Sequence, residues 1–214
     1  MMANRRGNRG ERERKRRESE QVQPVDNPPD EVAALLGVDD EAIEQLKQEM
    51  DADKATKTGH SENRREPVEP DDVSTSKQQI RELQDAYSLA MDSGKYEYFD
   101  KIFLADIEAD YGPAGIGTGL ASLKDICRGA LEPLDSVQHM NGNHWARING
   151  TEAEAGCYFR VHMTREGTTG GDHFEMGGKY TDQLTRTHDG WRIAKRKIDL
   201  LWSSGNQEVR FPTE

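Results

Sequence analysis

The stretch AYSLAMDSGKY (86–96) ends a helix-like run on an acid, Asp92, just ahead of Ser93 and Gly94. The C-terminus of a helix carries partial negative charge and favours Lys, Arg or His in its last turn. A carboxylate there is either an ordinary turn residue or an acid that another part of the fold requires although its charge is disfavoured at that end. Six histidines are available. His60 lies far upstream, and His162, His173 and His188 have no metal-ligand spacing. His139 sits in QHMNGNHW, where Asn143 or His144 could equally be its bonding partner. Cys127 and Cys157 are also without metal-like spacing, so no metal site is expected. The Gly-rich GPAGIGTG (112–119) has the spacing G-x-G-x-G, with no further strand–helix–strand units after it. It is read as a flexible loop rather than a dinucleotide cradle.

Groups of this kind need a folded domain to position them, and the 214-residue chain is uneven in what it can fold. All 14 aromatic residues lie from Tyr87 onward. Residues 1–20 carry a net charge of +4 and residues 21–74 a net charge of −10, which leaves −5 for 75–214. A segment without aromatics and heavy with charge cannot bury enough surface to offset its ordering entropy. The expectation is a disordered arm over 1–74 and one domain over 75–214. No apolar run is long enough to cross a bilayer and no signal-peptide pattern is present, so no membrane association is expected. A cytoplasmic location is the default, with Cys127 and Cys157 reduced and buried.

Within the arm, RRGNRGERERKRRESE (5–20) has the charge for phosphate binding. Glutamates interrupt it, however, and no aromatic is interleaved for base stacking. It is read as a solvated tail, not a nucleic-acid site. PDEVAALLGVDDEAIEQLKQEM (29–50) has the form of two short helices, with Pro29 at a first helical position, Gly37 as a stop, and Asp39 or Asp40 as an N-cap.

In the domain, Ile80, Leu83, Tyr87, Ala90 and Met91 fall at helical spacing across 77–93, with Gly94 as the stop. A second helix is expected over 96–104, a short strand over 106–112 and a further helix in LASLKDICRGAL. From residue 136 the chain turns to long alternating runs. In one of them Ala153, Ala155, Cys157, Phe159, Val161 and Met163 alternate with Glu154, Tyr158, Arg160 and His162. The hairpin turns are Asn149-Gly150 and Asp189-Gly190. Helices followed by a meander of long strands describe an α+β domain with helices on one face of a curved antiparallel sheet.

Over residues 77 to about 203, YSLAMDSGKYEYFDKIFLADIEADYG, QHMNGNHW and GGKYTDQLTRTHDGWRIAKRKIDLLW resemble the SnoaL-like branch of the nuclear transport factor 2-like superfamily. Its members include polyketide cyclases, scytalone dehydratase, a bile-acid dehydratase and a hexachlorocyclohexane dehydrochlorinase. The resemblance implies a cone-shaped α+β barrel, often a homodimer or homotrimer, working without metal or organic cofactor. In several eliminating members a Tyr or Lys on the first helix, an Asp close behind it and a His on the first long strand surround the substrate. Those positions here are Tyr87, Asp92 and His139, and an Arg on the last strand of some members corresponds to Arg196, beside Lys195.

The resemblance thus implies a cofactor-independent lyase or isomerase acting on a hydrophobic, ring-containing small molecule. His139 would be the base, oriented by Asp92, with Tyr87 and Arg196 stabilising developing charge. Phe103, Trp145, Tyr158, Tyr180 and Trp202 are the candidates to line the substrate. Each has an ordinary alternative. Tyr87 lies on an apolar stripe, Arg196 suits an ion pair on a solvated strand, and Trp145, Tyr158, Tyr180 and Trp202 suit sheet packing. The superfamily also includes non-catalytic subunits, such as the small subunit of ring-hydroxylating dioxygenases, so a binding or partner subunit is the alternative function.

Overall fold

The computed structural model describes residues 29–37, 44, 45, 48 and 72–210. The basic run 5–20 lies outside them. Helix α1 (Pro29–Leu36) starts on its proline and stops at Gly37, whose φ is +62°. Eight residues are too few for a helix to persist alone in water. It forms by burying Val32 and Ala33 in the core and packing against helix α2 (Val73–Asp92), so this part of the expected arm is joined to the domain. Asp72 caps α2 by accepting from the N–H groups of Ser74 (2.8 Å) and Thr75 (3.3 Å). The helix therefore begins before the first apolar residue of the stripe.

The chain continues through a 3-10 turn (Tyr96–Tyr98), helix α3 (Phe99–Ile102) and strand β1 (Phe103–Asp110). The second helix thus ends before Phe103, not at residue 104. Pairing of β1 with a distant strand overrides the local helical spacing. The glycine-rich segment is not a flexible loop. It forms a 3-10 turn (Gly112–Ala114) and a short edge strand, β2 (Ile116–Thr118), antiparallel to β1. Helix α4 (Leu120–Leu131) follows, then β3 (Ser136–Asn149), β4 (Glu152–Thr164), β5 (His173–Thr187) and β6 (Gly190–Gly205).

The six strands form one curved sheet in the order β2-β1-β6-β5-β4-β3. Every pair is antiparallel except β1 with β6, which is parallel, so the sheet is mixed rather than wholly antiparallel. Helices α2 and α4 cover its inner face, where Phe159, Val161, Met163 and Tyr180 are buried. Of the register shifts in the sheet, two change the face of expected site residues. One lies between Gly142 and Trp145, with Asn143 at φ +53°. The other leaves Leu201 as an extra residue between Leu200 and Trp202, opposite Gly178 and Gly177. A bulge turns every later side chain on its strand to the opposite face.

Val32→Asp should release α1 from α2 without unfolding the sheet. Denaturant titration should show a loss of about 1.5–3 kcal/mol, the worth of one buried valine. Hydrogen exchange should show protection lost in α1 and kept in β4 and β5.

Candidate active site

The end of α2 is closed by a Schellman arrangement. The Lys95 N–H donates to the Ala90 carbonyl (2.9 Å), the Gly94 N–H donates to the Met91 carbonyl (3.2 Å), and Gly94 takes φ +67°. Ser93 Oγ adds a bond to the Leu89 carbonyl (2.7 Å). With the helix end satisfied by backbone and serine, the Asp92 carboxylate turns to the neighbouring strand and takes His139 with both oxygens. The His139 backbone N–H donates to Oδ2 at 2.8 Å, and its ring Nδ1 lies 2.5 Å from Oδ1. That backbone N–H is free to do so because β3 is an edge of the sheet. The side chains are 3% and 9% exposed for His139 and Asp92. The carboxylate can only accept, so Nδ1 carries the proton and Nε2 is left as the basic nitrogen.

His139 lines a partly open cavity of about 80 Å³ between α2, α4 and the inner face of the sheet. Its wall is mainly apolar, including Met91, Ile126, Phe159, Met163 and Met176, with the phenols of Tyr87, Tyr111 and Tyr180 among them. Burial pushes all three phenols well up from the ordinary tyrosine value, so they are hydrogen-bond donors and not phenolates. The Tyr111 hydroxyl is fully buried beside that of Tyr87. Cys127 also lines the cavity; burial pushes its thiol, and that of the buried, unbridged Cys157, up to about 12. Among the described residues no cluster of three or more His, Cys, Asp or Glu could hold a metal ion.

Arg196 is placed elsewhere. It faces inward from β6 but is sealed in a two-pronged ion pair with Asp182 of β5, at 2.7 and 2.8 Å, with both side chains 0% exposed. Gln84 of α2 donates to the same carboxylate at 2.9 Å. The guanidinium packs against two perpendicular rings, 4.3 Å from the Tyr87 centroid and 4.5 Å from that of Tyr180. It does not line the cavity.

The remaining expected residues divide between the two faces of the sheet. Tyr87 and Tyr180 line the cavity, while Phe103 is buried behind them, edge-on to Tyr87. Tyr158, Trp145 and Trp202 stand exposed on the outer face, away from the cavity. Strict alternation from His139 would bring Trp145 inward, and alternation from Arg196 would do the same for Trp202; the two bulges reverse both. Tyr158 alternates with Phe159 and so faces outward without a bulge. His144 does not bond His139. It approaches Gln84 Oε1 at 2.9 Å and Asp85 at 3.3 Å. The sequence reading missed Tyr111, Cys127, Met163 and Met176 in the wall. Alternation along β4 already put Met163 on the face of Cys157 and Phe159.

The SnoaL-like domain family matches residues 72–197, more than half of the chain. The chain belongs to the SnoaL-like family. An uncharacterised protein of Mycobacterium tuberculosis strain H37Rv is 30% identical over 122 residues, covering 55% of this chain and 80% of its own. The fold recurs in a scytalone dehydratase-like protein of Novosphingobium aromaticivorans (TM-score 0.54, 20% identity, 59% of this chain and 85% of that one). It recurs also in a nuclear transport factor 2-like protein of Salmonella enterica (TM-score 0.53, 17% identity, 63% and 97%). This SnoaL-like domain therefore has the cone-shaped α+β architecture of that superfamily.

In this SnoaL-like domain Arg196→Met should cost about 3–5 kcal/mol in denaturant unfolding, because it strands the buried Asp182 charge. The double variant Asp182→Leu/Arg196→Met should recover most of that loss. The thiols give a separate check. A thiol shifted from 9.0 to about 12 has roughly a thousandfold less thiolate at pH 8, so Cys127 and Cys157 should resist alkylation until the chain unfolds. The unfolded chain releases protons that the folded chain keeps, so stability should fall as pH rises above about 9.

Proposed function

We propose that the domain is a cofactor-independent lyase or isomerase, of dehydratase or cyclase type, in which His139 removes a proton from carbon beside a carbonyl or a leaving group. The observation that carries this reading is the double grip of Asp92 on His139, which holds the ring at the cavity wall with Nε2 as its basic nitrogen. Nε2 takes the C–H proton, and the electron pair of that bond moves into a new C=C or enolate. The imidazolium formed is paired with the Asp92 carboxylate and can return its proton to a departing hydroxyl or to another carbon. The neutral phenols of Tyr87 and Tyr111 supply donors for the oxygen that gains charge.

The cavity limits what enters. About 80 Å³ is less than the roughly 150 Å³ that holds a benzene ring. A ring therefore needs the lining to yield, and Met91, Met163 and Met176 have the unbranched, rotatable side chains to do so. The exposed Trp145, Tyr158 and Trp202, with Met140 and Leu201, favour a second reading in which the outer face meets another chain, either a second copy or a partner subunit.

The test is turnover by the full chain of a panel of small cyclic β-hydroxy ketones in deuterated water, followed by NMR for water loss and for deuterium at the α-carbon. His139→Gln should lower the rate by about 10²-fold or more, the usual worth of a general base. Asp92→Asn should also slow it and should shift the ring tautomer, read from the nitrogen shifts of His139. Equal turnover by wild type and His139→Gln would remove the reading.

A further inference from the structure

We infer that the outer face of the sheet carries a surface metal site, in which His162 and His173 together bind one imidazole-preferring divalent ion such as Zn2+. The two histidines stand on paired strands, on either side of the connection 165–172. His162 of β4 is in register with Glu175 of β5, and Thr164 with His173, so the four residues make a square on one face. Val161, Met163 and Phe174 alternate with them and are buried inside. The square therefore stands on the outer face, away from the cavity. The His162 side chain is 41% exposed and His173 is exposed, so an ion reaches them directly from solvent. The two histidines have no metal-ligand spacing along the sequence, because only the β4–β5 pairing brings them together.

One nitrogen of each ring converges on the same oxygen. His162 Nδ1 lies 2.9 Å from Glu175 Oε1. A carboxylate only accepts, so Nδ1 carries the proton and Nε2 keeps its lone pair. That Nε2 stands 3.5 Å from Thr164 Oγ1, and His173 Nδ1 stands 3.3 Å from the same hydroxyl. The ring centroids are 5.3 Å apart. Two imidazoles sharing one zinc ion at a tetrahedral angle, with Zn–N bonds of about 2.0–2.1 Å, have centroids roughly 5 Å apart. The spacing of the rings thus already suits a shared ion. Glu175 acts as the orienting group. Arg160 Nη2 donates to both its oxygens, at 2.9 and 2.8 Å, and the bonds from His162 and Arg160 hold its carboxyl below the usual carboxylate range. A metal-bound histidine commonly gives its other ring N–H to such a carboxylate, which fixes the tautomer and the ring plane. Imidazole selects zinc, copper or nickel, whereas magnesium and calcium take oxygen ligands. Two protein ligands, fewer than a closed site uses, leave the other positions to water.

The probe is zinc chloride titrated into the full chain, followed by calorimetry and by the ring resonances of the histidines. The His162 and His173 signals should move together and saturate at one ion per chain, and magnesium chloride should move neither. His162→Gln and His173→Gln should each weaken zinc binding about tenfold or more. Glu175→Leu should do the same, since loss of an orienting partner costs about 10–100-fold in metal affinity. It should also free the His162 ring, whose nitrogen shifts should change from the Nδ1–H form to a mixture of tautomers. His188→Gln, at an exposed histidine away from the square, should bind zinc as wild type does. The inference is overturned if the two signals do not move together, if either histidine variant binds zinc as tightly as wild type, or if Glu175→Leu leaves affinity and tautomer unchanged.

Discussion

Beside its buried apolar face, helix α2 carries one polar stripe that fixes it against the edge strand, and the geometry of the site depends on it. Gln84, Ser88 and Asp92 recur every four residues and so share one face of the helix. Their partners run along the edge strand β3: His144 approaches Gln84, Asn141 Nδ2 donates to Ser88 Oγ at 2.7 Å and to the Gln84 carbonyl at 3.1 Å, and His139 meets Asp92. The stripe satisfies groups on an edge that would otherwise be open to pairing with another chain. It also sets the register of helix against strand. A one-residue slip would carry Asp92 away from His139 and swing Tyr87 out of the cavity wall.

Gln84 is where that stripe meets the interior. Its amide nitrogen donates to Asp182, so its oxygen is the end that faces His144, and the side chain cannot flip without breaking both contacts. The Asp182–Arg196 pair beneath it adds little net stability, because desolvating two charges costs about as much as their attraction returns. Its effect is positional. The guanidinium sits in the corner formed by the perpendicular Tyr87 and Tyr180 rings, and its Nη1 has no hydrogen-bond partner among the described residues. The cation thereby backs both tyrosines, which meet edge to face at 5.7 Å and line the cavity.

The strands were legible in the sequence because alternation survives burial, and β4 extends one residue beyond each end of the alternating run from Ala153 to Met163. The bulges were not legible. Nothing in the composition of GNHW marks Asn143 as a left-handed residue, and the extra residue at Leu201 looks like one more apolar position. Both bulges exchange inner and outer faces, and both misplaced a tryptophan. The parallel β1–β6 pair was also invisible, since it joins segments at opposite ends of the domain. Asp92 and His139 are 47 residues apart, and their pairing came from family resemblance, not from spacing. The Gln84, Ser88, Asp92 stripe was present in the sequence as a polar row inside an amphipathic helix.

The position of Asp92 has a physical resolution in this geometry. Alone, a carboxylate at the negative end of a 20-residue helix is disfavoured. Two N–H donors from one residue offset that cost, and they do so only if His139 keeps its Nδ1 proton. The same helix end that disfavours the acid favours a cation beside it. When His139 takes up a second proton in the proposed reaction, the new positive charge lies next to both the carboxylate and the helix C-terminus. An acid that is poorly placed by itself is thus well placed as half of a pair that cycles between neutral and protonated imidazole. Moving the carboxylate to the start of the helix would improve the resting acid and weaken the support for the protonated base.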